Sequence, residues 1–346
     1  RMAMKMGAPV IGLLDCSGLR LQEGTDALDG FGQMYLNQTM ASGVVPQLCA
    51  VFGTCGGGMA VSSALADFVF MEEKGKLFVN SPNALSGNDD SKCDTASADF
   101  QSRECGLADM VGTEEEILEK MRTLVSILPA NNEDDMSYDE CSDDLNRLCE
   151  NIEGFRGDTG KALSMISEVK KNYGPDMAVG FIRLNGTTVG CVANRTEILN
   201  DENEKTEEFD AALSARGCEK AAEFVNFCDA FEIPVLTLVN AKGYKQCKCT
   251  EKKIAKAAGR LTYAFANADV PKVTVVVGEA YGSAYVTMNS KSIGADIVYA
   301  WPSAKIGMMD KTAAAKIMYA EEIQASDNAA ALIAEKASEY EKLQSS

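Results

Sequence analysis

A chain of 346 residues is long enough for two domains, each with a sizeable core. Its formal net charge of −18 argues against a basic nucleic-acid-binding face and against docking on an anionic membrane. The absence of histidine removes Ser-His-Asp and Cys-His arrangements and any histidine general base. Chemistry must then rest on backbone electrostatics, on a carboxylate or lysine, or on a cofactor that brings its own base.

Twelve cysteines are scattered along the chain, several inside apolar runs (Cys49, Cys191, Cys228). This distribution predicts reduced thiols in a cytoplasmic protein. Cys247-Lys-Cys249 is the one tight pair, and with no histidine and no second pair it does not read as a zinc site. No apolar run reaches the roughly 18 residues of a membrane span.

In chain order, Arg1 to Met6 reads as the end of a helix stopped at Gly7, as if the chain started in mid-fold with an upstream segment before it. A buried strand is expected up to Asp15, then a loop from Cys16 to Gly24, then a helix from Asp26 to Ser42 closed by Gly43. Pro46 to Phe52 reads as a strand that runs into Gly53-Thr-Cys-Gly56-Gly57-Gly58 and a following helix. Short strands are expected at Phe68–Met71 and Leu77–Val79. Thr113-Glu-Glu-Glu116 resembles a capping box ahead of a helix from Ile117 to Leu128. The acidic stretch from Pro129 to Asp139 reads as a solvated linker. Leu145 to Tyr173 is expected to be mostly helical, with a break at Gly154 to Gly160.

Asn185-Gly186 between two strand-like runs predicts a hairpin over 178–193. Helices are expected at Ser214–Phe231 and at Thr250–Ala268, the latter long and alanine-rich, with a strand at Pro234–Val239 between them. Val273-Thr-Val-Val-Val277 is a β-branched run suited to a strand buried on both faces. It ends in Gly278-Glu-Ala-Tyr281-Gly282-Ser283-Ala284-Tyr285, where small residues let the backbone turn sharply and approach a ligand. Free amides at the start of the next helix would face an oxygen carrying negative charge.

The second half repeats the first. Pro9-Val-Ile-Gly-Leu-Leu-Asp15 is echoed by Pro234-Val-Leu-Thr-Leu-Val-Asn240, and Ala66-Asp67-Phe-Val-Phe by Ala295-Asp296-Ile-Val-Tyr. Ser81-Pro82 is echoed by Trp301-Pro302. The order is kept, so a whole domain has been duplicated. The expected division is a first half at 1–130, an acidic linker with helices at 131–176 and a second half at 177–346.

Gly180-Phe-Ile-Arg-Leu-Asn-Gly186, Ala221-Ala-Glu-Phe-Val-Asn-Phe-Cys-Asp-Ala-Phe-Glu-Ile-Pro234, Val270-Pro-Lys-Val-Thr274 and Ala280-Tyr-Gly-Ser-Ala-Tyr285 resemble the biotin-dependent acyl-CoA carboxyltransferase family. Arg20-Leu-Gln-Glu-Gly24, Ala41-Ser-Gly-Val-Val-Pro46 and Cys55-Gly-Gly-Gly58 continue the likeness, which runs from about residue 7 to about residue 325. The acyl-CoA type is the one resembled: propionyl-CoA and acetyl-CoA carboxylase carboxyltransferase subunits, and α subunits of methylmalonyl-CoA and glutaconyl-CoA decarboxylases. The resemblance implies an α/β protein of two duplicated crotonase-like ββα-superhelix domains, with acyl-CoA held mainly by the first and biotin mainly by the second. It implies a homo-oligomer with active sites between subunits. Biotin would arrive on a separate biotin carboxyl carrier protein, with a biotin carboxylase or a membrane decarboxylase subunit as further partners. Met4-Lys5-Met6 matches the biotinylation tripeptide but sits in the terminal helix and reads as structural.

The family mechanism needs two sets of backbone donors, one for a thioester enolate and one for the ureido oxygen of biotin. The resemblance assigns Gly57 and Gly58 to the first set and Ser283 and Ala284 to the second, with serine where the family usually has glycine. Gly18, Arg20, Gly56, Tyr281, Gly282, Tyr285 and Val286 are candidate substrate contacts. Val286 stands where acyl-CoA carboxylases often carry aspartate. Arg20 and Glu23 read equally well as an ion pair. Lys242, Lys245, Lys248, Lys252 and Lys253 form a basic cluster that could attract coenzyme A phosphates or the carrier. The alternatives are a biotin-independent crotonase-type hydratase or isomerase, against which the duplication argues, and a non-catalytic assembly subunit.

Overall fold

The computed structural model describes residues 1–134, 140–142, 144, 146, 148 and 157–344. A short helix α1 (Met2–Met6) ends at Gly7, whose φ is 61°. The first half then runs β1 (Val10–Cys16), α2 (Thr25–Ala41), β2 (Gln47–Gly56), α3 (Gly58–Ala64), β3 (Phe68–Glu72), β4 (Lys76–Phe78), β5 (Met110–Gly112) and α4 (Glu114–Ile127). The capping box is present: Glu116 N–H donates to Thr113 Oγ1 at 3.3 Å, and Thr113 N–H to Glu116 Oε2 at 2.8 Å. The strands form a parallel sheet in the order β1-β2-β3-β5, with β4 pairing the end of β2.

The second half has β6 (Ser167–Val169), β7 (Met177–Leu184), β8 (Thr187–Asn194), α5 (Ala215–Ala230), β9 (Val235–Ala241), α6 (Ile254–Asn267), β10 (Lys272–Tyr281), α7 (Gly282–Thr287), β11 (Ile297–Ala300) and β12 (Lys305–Gly307). Helices α8 (Lys311–Met318), α9 (Ala320–Ala325) and α10 (Ala329–Gln344) follow. The sheet order is β11-β10-β9-β8-β7-β6, with β12 pairing the end of β10. Strands β7 and β8 form the expected hairpin, and its turn residues Asn185 and Gly186 have φ of 50° and 80°.

The duplication extends to individual hydrogen bonds. Gln47 N–H donates to Asp67 Oδ2 at 2.8 Å, and Asp67 N–H returns a bond to Gln47 O at 2.9 Å. In the second half Lys272 N–H donates to Asp296 Oδ2 at 2.7 Å, and Asp296 N–H to Lys272 O at 2.8 Å. Both β1 and β9 carry a register shift one residue before their C-terminal pairing. At that shift Asp15 Oδ1 accepts from Thr54 N–H at 3.0 Å, and Asn240 Oδ1 accepts from Glu279 N–H at 2.9 Å.

One apolar core joins the halves. Leu48, Phe68 and Leu124 pack in the same cluster as Phe181, Phe224 and Val225. The Phe68 ring meets Phe227 edge-on at 4.8 Å between centroids and Phe181 at 6.2 Å.

Three expectations fail. The strand up to Asp15 is not buried on both faces: Ile11 is 52 % and Leu13 58 % exposed on one face, while Leu14 and Cys16, which alternate to the other face, pack against the first-half core. The helix expected to resume after Gly160 does not. Residues 157–173 hold one helical turn, Thr159–Ala162, and strand β6, recruited by the edge of β7; residues 149–156, in the same expected segment, lie outside the described residues. The helix expected over 250–268 is broken, with a separate turn at Lys248–Glu251 and α6 starting after Lys253. Cys247 caps the first of these pieces, accepting from Thr250 N–H. The linker expected at 129–139 falls partly on residues 135–139, which are outside the described ones.

Candidate functional site: two matched glycine turns

Each half places a glycine turn where its longest strand gives way to a helix. Gly57 has φ 56° and ψ −124°, a conformation open essentially to glycine alone. Gly282 has φ 58°. The pairings Gly56 with Phe78 and Tyr281 with Gly307 set the equivalence: Gly57 matches Gly282, Gly58 matches Ser283, and Met59 matches Ala284.

The amides of a first helical turn have no carbonyl inside their own helix to bond. Gly58 and Met59 occupy that turn in α3, and Ser283 and Ala284 in α7. Gly57 differs, because its N–H donates to Phe78 O at 2.9 Å and so belongs to the sheet. Ser283 is exposed and Ala284 buried, so the second turn has one open and one sheltered position.

The structure brings Gly18 and Gly56 together. A side chain on Gly18 would meet Gly56 O at 3.3 Å, and one on Gly56 would meet Ser17 O at 2.6 Å. Arg20 is exposed at the start of the 3-10 turn Leu21–Glu23; the Glu23 N–H donates to Arg20 O at 3.1 Å, and among the described residues no ion pair joins the two side chains. Tyr281 is directed elsewhere: it lines a small cavity of about 100 Å³ with Glu279, Asp310, Tyr340 and Glu341. Burial pushes the Tyr281 phenol up, with Glu279 adding to it. Tyr285 packs against the main core, and burial raises its phenol too. Val286 is 36 % exposed on α7. Among the five lysines, Lys242 pairs with Glu279 at 3.0 Å and all are exposed.

Sequence reasoning missed two tyrosines. Tyr35 on α2 donates its hydroxyl to Gly58 O at 2.6 Å. Tyr244 donates to Ser283 O at 3.2 Å and meets Thr287 Oγ1 at 2.8 Å. Each turn thus has the carbonyl of its second residue held by a phenol, although the two tyrosines come from different elements. No repeat signal marks them, since they do not occupy matching positions. Asp15 and Asn240 were also missed, but they stand at the same place in the two repeats and could have been found there.

Over residues 1–346 the chain matches the carboxyl transferase domain family. It is 35 % identical over 356 residues to the methylmalonyl-CoA carboxyltransferase 12S subunit of Propionibacterium freudenreichii subsp. shermanii, covering 98 % of this chain and 66 % of the relative. It is 36 % identical over 345 residues to the propionyl-CoA carboxylase carboxyltransferase subunit of Haloferax mediterranei, covering 94 % and 65 %. The chain therefore spans slightly less than two thirds of the length of these relatives. A crystal structure of transcarboxylase 12S, a hexamer assembly with hydrolysed methylmalonyl-coenzyme A bound, superposes with a TM-score of 0.87 at 33 % identity, over 100 % of this chain and 68 % of that one. The duplicated halves are accordingly crotonase-like. On the whole-chain match and the shared architecture, this protein belongs to the carboxyl transferase domain family.

Proposed function

We propose that the chain is the carboxyltransferase part of a biotin-dependent acyl-CoA carboxylase or decarboxylase, with propionyl-CoA and methylmalonyl-CoA as the favoured pair. The observation that carries this reading is the pair of matched glycine turns in a chain of this family. This histidine-free chain offers two sets of first-turn amides. That suits a reaction in which the protein stabilises developing negative charge and the cofactor supplies the base.

Gly58 and Met59 are the proposed donors to the thioester oxygen, and Ser283 and Ala284 the proposed donors to biotin. The first pair replaces Gly57 and Gly58, because the Gly57 amide is already bonded to Phe78. Gly18, Gly56 and Arg20 would border the acyl-CoA, with Gly282, Tyr285 and Val286 beside the biotin. Biotin, when bound on its carrier, would carry the carboxyl group. The chain's own residues would orient the two reactants and hold charge at the two oxygens. Tyr35 and Tyr244 would position the turns rather than touch the reacting atoms. A division at 1–130, 131–176 and 177–346, assembly with active sites between subunits, and a separate carrier complete the proposal.

The test is carboxyl transfer from methylmalonyl-CoA to free biotin. Ser283→Ala keeps the amide and should keep activity within about threefold, whereas Ser283→Pro deletes the amide and should cost on the order of 100-fold in kcat. Circular dichroism checks that the proline variant is folded. An active, folded Ser283→Pro protein would remove Ser283 from the site, and a parent chain with no transfer from methylmalonyl-, malonyl- or glutaconyl-CoA would sink the reading.

A further inference from the structure

The segment between β9 and α6 carries thiol chemistry that carboxyl transfer does not use. The sulfurs of Cys247 and Cys249 face each other at 2.7 Å, against about 2.05 Å for a bonded pair. The Cys247 thiol donates to Thr250 Oγ1 at 3.2 Å, and its sulfur accepts from Thr250 N–H at 3.4 Å. Together these contacts, led by the one with Cys249, draw Cys247 down to about 7. Elsewhere burial works in the opposite direction, pushing Cys49 and Cys218 up to about 12 and leaving them as inert thiols. Cys249 is exposed and Cys247 partly so. Arg216 also senses Cys249: its guanidinium is held above its usual range first by Glu104, with Tyr173 and Cys249 adding to that.

This dithiol is tied to the second glycine turn. Cys247 N–H donates to Lys245 O at 3.2 Å, and Lys245 N–H to Leu213 O at 2.9 Å, so the chain from Tyr244 to Cys247 is tightly folded. At its start, Tyr244 holds the Ser283 carbonyl and the Thr287 hydroxyl of α7. A change at Cys247 has a short path to that helix.

We propose that Cys247 and Cys249 form a reversible intrachain disulfide on exposure to low-molecular-weight disulfides, and that its closure loosens α7 through Tyr244. The Cys247 thiolate attacks one sulfur of the small disulfide, forming a mixed disulfide and releasing one small thiolate. The Cys249 thiolate then attacks Cys247 Sγ and releases the second small thiolate. The protein dithiol loses two electrons and two protons, and the small disulfide is reduced to two thiols. Closing the bond removes the Cys247 sulfur as a thiol donor to Thr250 Oγ1 and re-aims the backbone at Lys248. The strain falls on the folded segment that ends at Tyr244.

The reduced 346-residue chain is treated with oxidised glutathione and mapped by peptide mass spectrometry. The parent should yield a 247–249 peptide lighter by about 2 Da, the loss of two hydrogens, and dithiothreitol should restore it. Cys249→Ser should instead trap one glutathione on Cys247, at a rate about tenfold above that of exposed Cys93. Amide exchange over 283–287 should be at least about threefold faster in the oxidised parent, and unchanged by the oxidant in the Cys247→Ser, Cys249→Ser double variant. A stable glutathione adduct on the parent pair, no preferential trapping in Cys249→Ser, or unchanged exchange in the oxidised chain would each overturn the proposal. None of these readouts depends on carboxyl transfer.

Discussion

At the scale of single residues, the two turns are held by contacts that do not resemble their sequence signature. The glycines make the conformation accessible, and the tyrosines keep it in place. Tyr35→Phe and Tyr244→Phe each remove one hydroxyl bond to a turn carbonyl, a net loss of about 1 kcal/mol. If the turns are the proposed donors, each variant should lower kcat for carboxyl transfer about three- to tenfold while thermal unfolding shifts little. An effect confined to KM would place these tyrosines at substrate binding instead. Gly57→Ala is expected to destabilise the fold by roughly 1–3 kcal/mol from backbone strain alone, since space for a methyl group exists there. Urea unfolding measures that loss directly. The turns were legible because small residues recur in matching contexts. Tyr35 was not, because its hydroxyl reaches across 23 positions in sequence to Gly58.

At the scale of elements, β3 holds a buried carboxyl, Asp109, at a cavity that also contains the Lys170–Glu223 ion pair. A cavity of about 550 Å³ is lined by Asp67, Asp109, Lys170, Glu223, Asn226 and Phe227, among others. Asp109 accepts from Val69 N–H at 2.6 Å and is buried, and burial pushes its carboxyl up to about 7 against the pull of Lys170. A carboxyl raised in this way binds its proton more tightly folded than unfolded. Its stabilising contribution is complete below about pH 4 and is lost as pH rises through about 7. Asp109→Asn keeps an acceptor for Val69 without the charge. The variant should therefore gain on the parent between pH 5 and pH 8, by roughly 1–3 kcal/mol in denaturant unfolding. An unchanged difference across that range would mean that Asp109 stays ionised. The elements around this cavity were read unevenly. Capping chemistry at Thr113 and the Asn185-Gly186 turn are local, so α4 and the β7–β8 hairpin were predictable. Strand β6 is short and polar, and only the free edge of β7 makes it a strand.

At the scale of the whole molecule, the two repeats differ in what covers their edges. Strand β9 lies between β8 and β10, whereas its counterpart β1 presents Val10, Ile11 and Leu13 to solvent, with Leu28, Leu36 and Met40 exposed on α2. An open strand edge with exposed apolar side chains promotes association. The 346-residue chain should self-associate in sedimentation experiments, and Ile11→Lys with Leu13→Lys should reduce that association while circular dichroism stays the same. Equal association of the double variant would show that β1 is not the contact. Among the described residues no helix is long and apolar enough to cross a membrane.

The duplication, the strand–glycine–helix turns, the hairpin and the lack of a histidine in this chain are all legible along the sequence. These follow from local rules: side-chain periodicity, backbone freedom at glycine, capping and composition. Packing, by contrast, sets the Gly57 N–H against Phe78 O through the pairing of β2 with β4. It also decides that β1 is an exposed edge, that Tyr35 and Tyr244 steady the turns, and that Asp109 lies buried at the cavity of the Lys170–Glu223 pair. Such features depend on which distant segments become neighbours, and that is set by packing the two repeats on one shared core rather than by any local pattern along the chain.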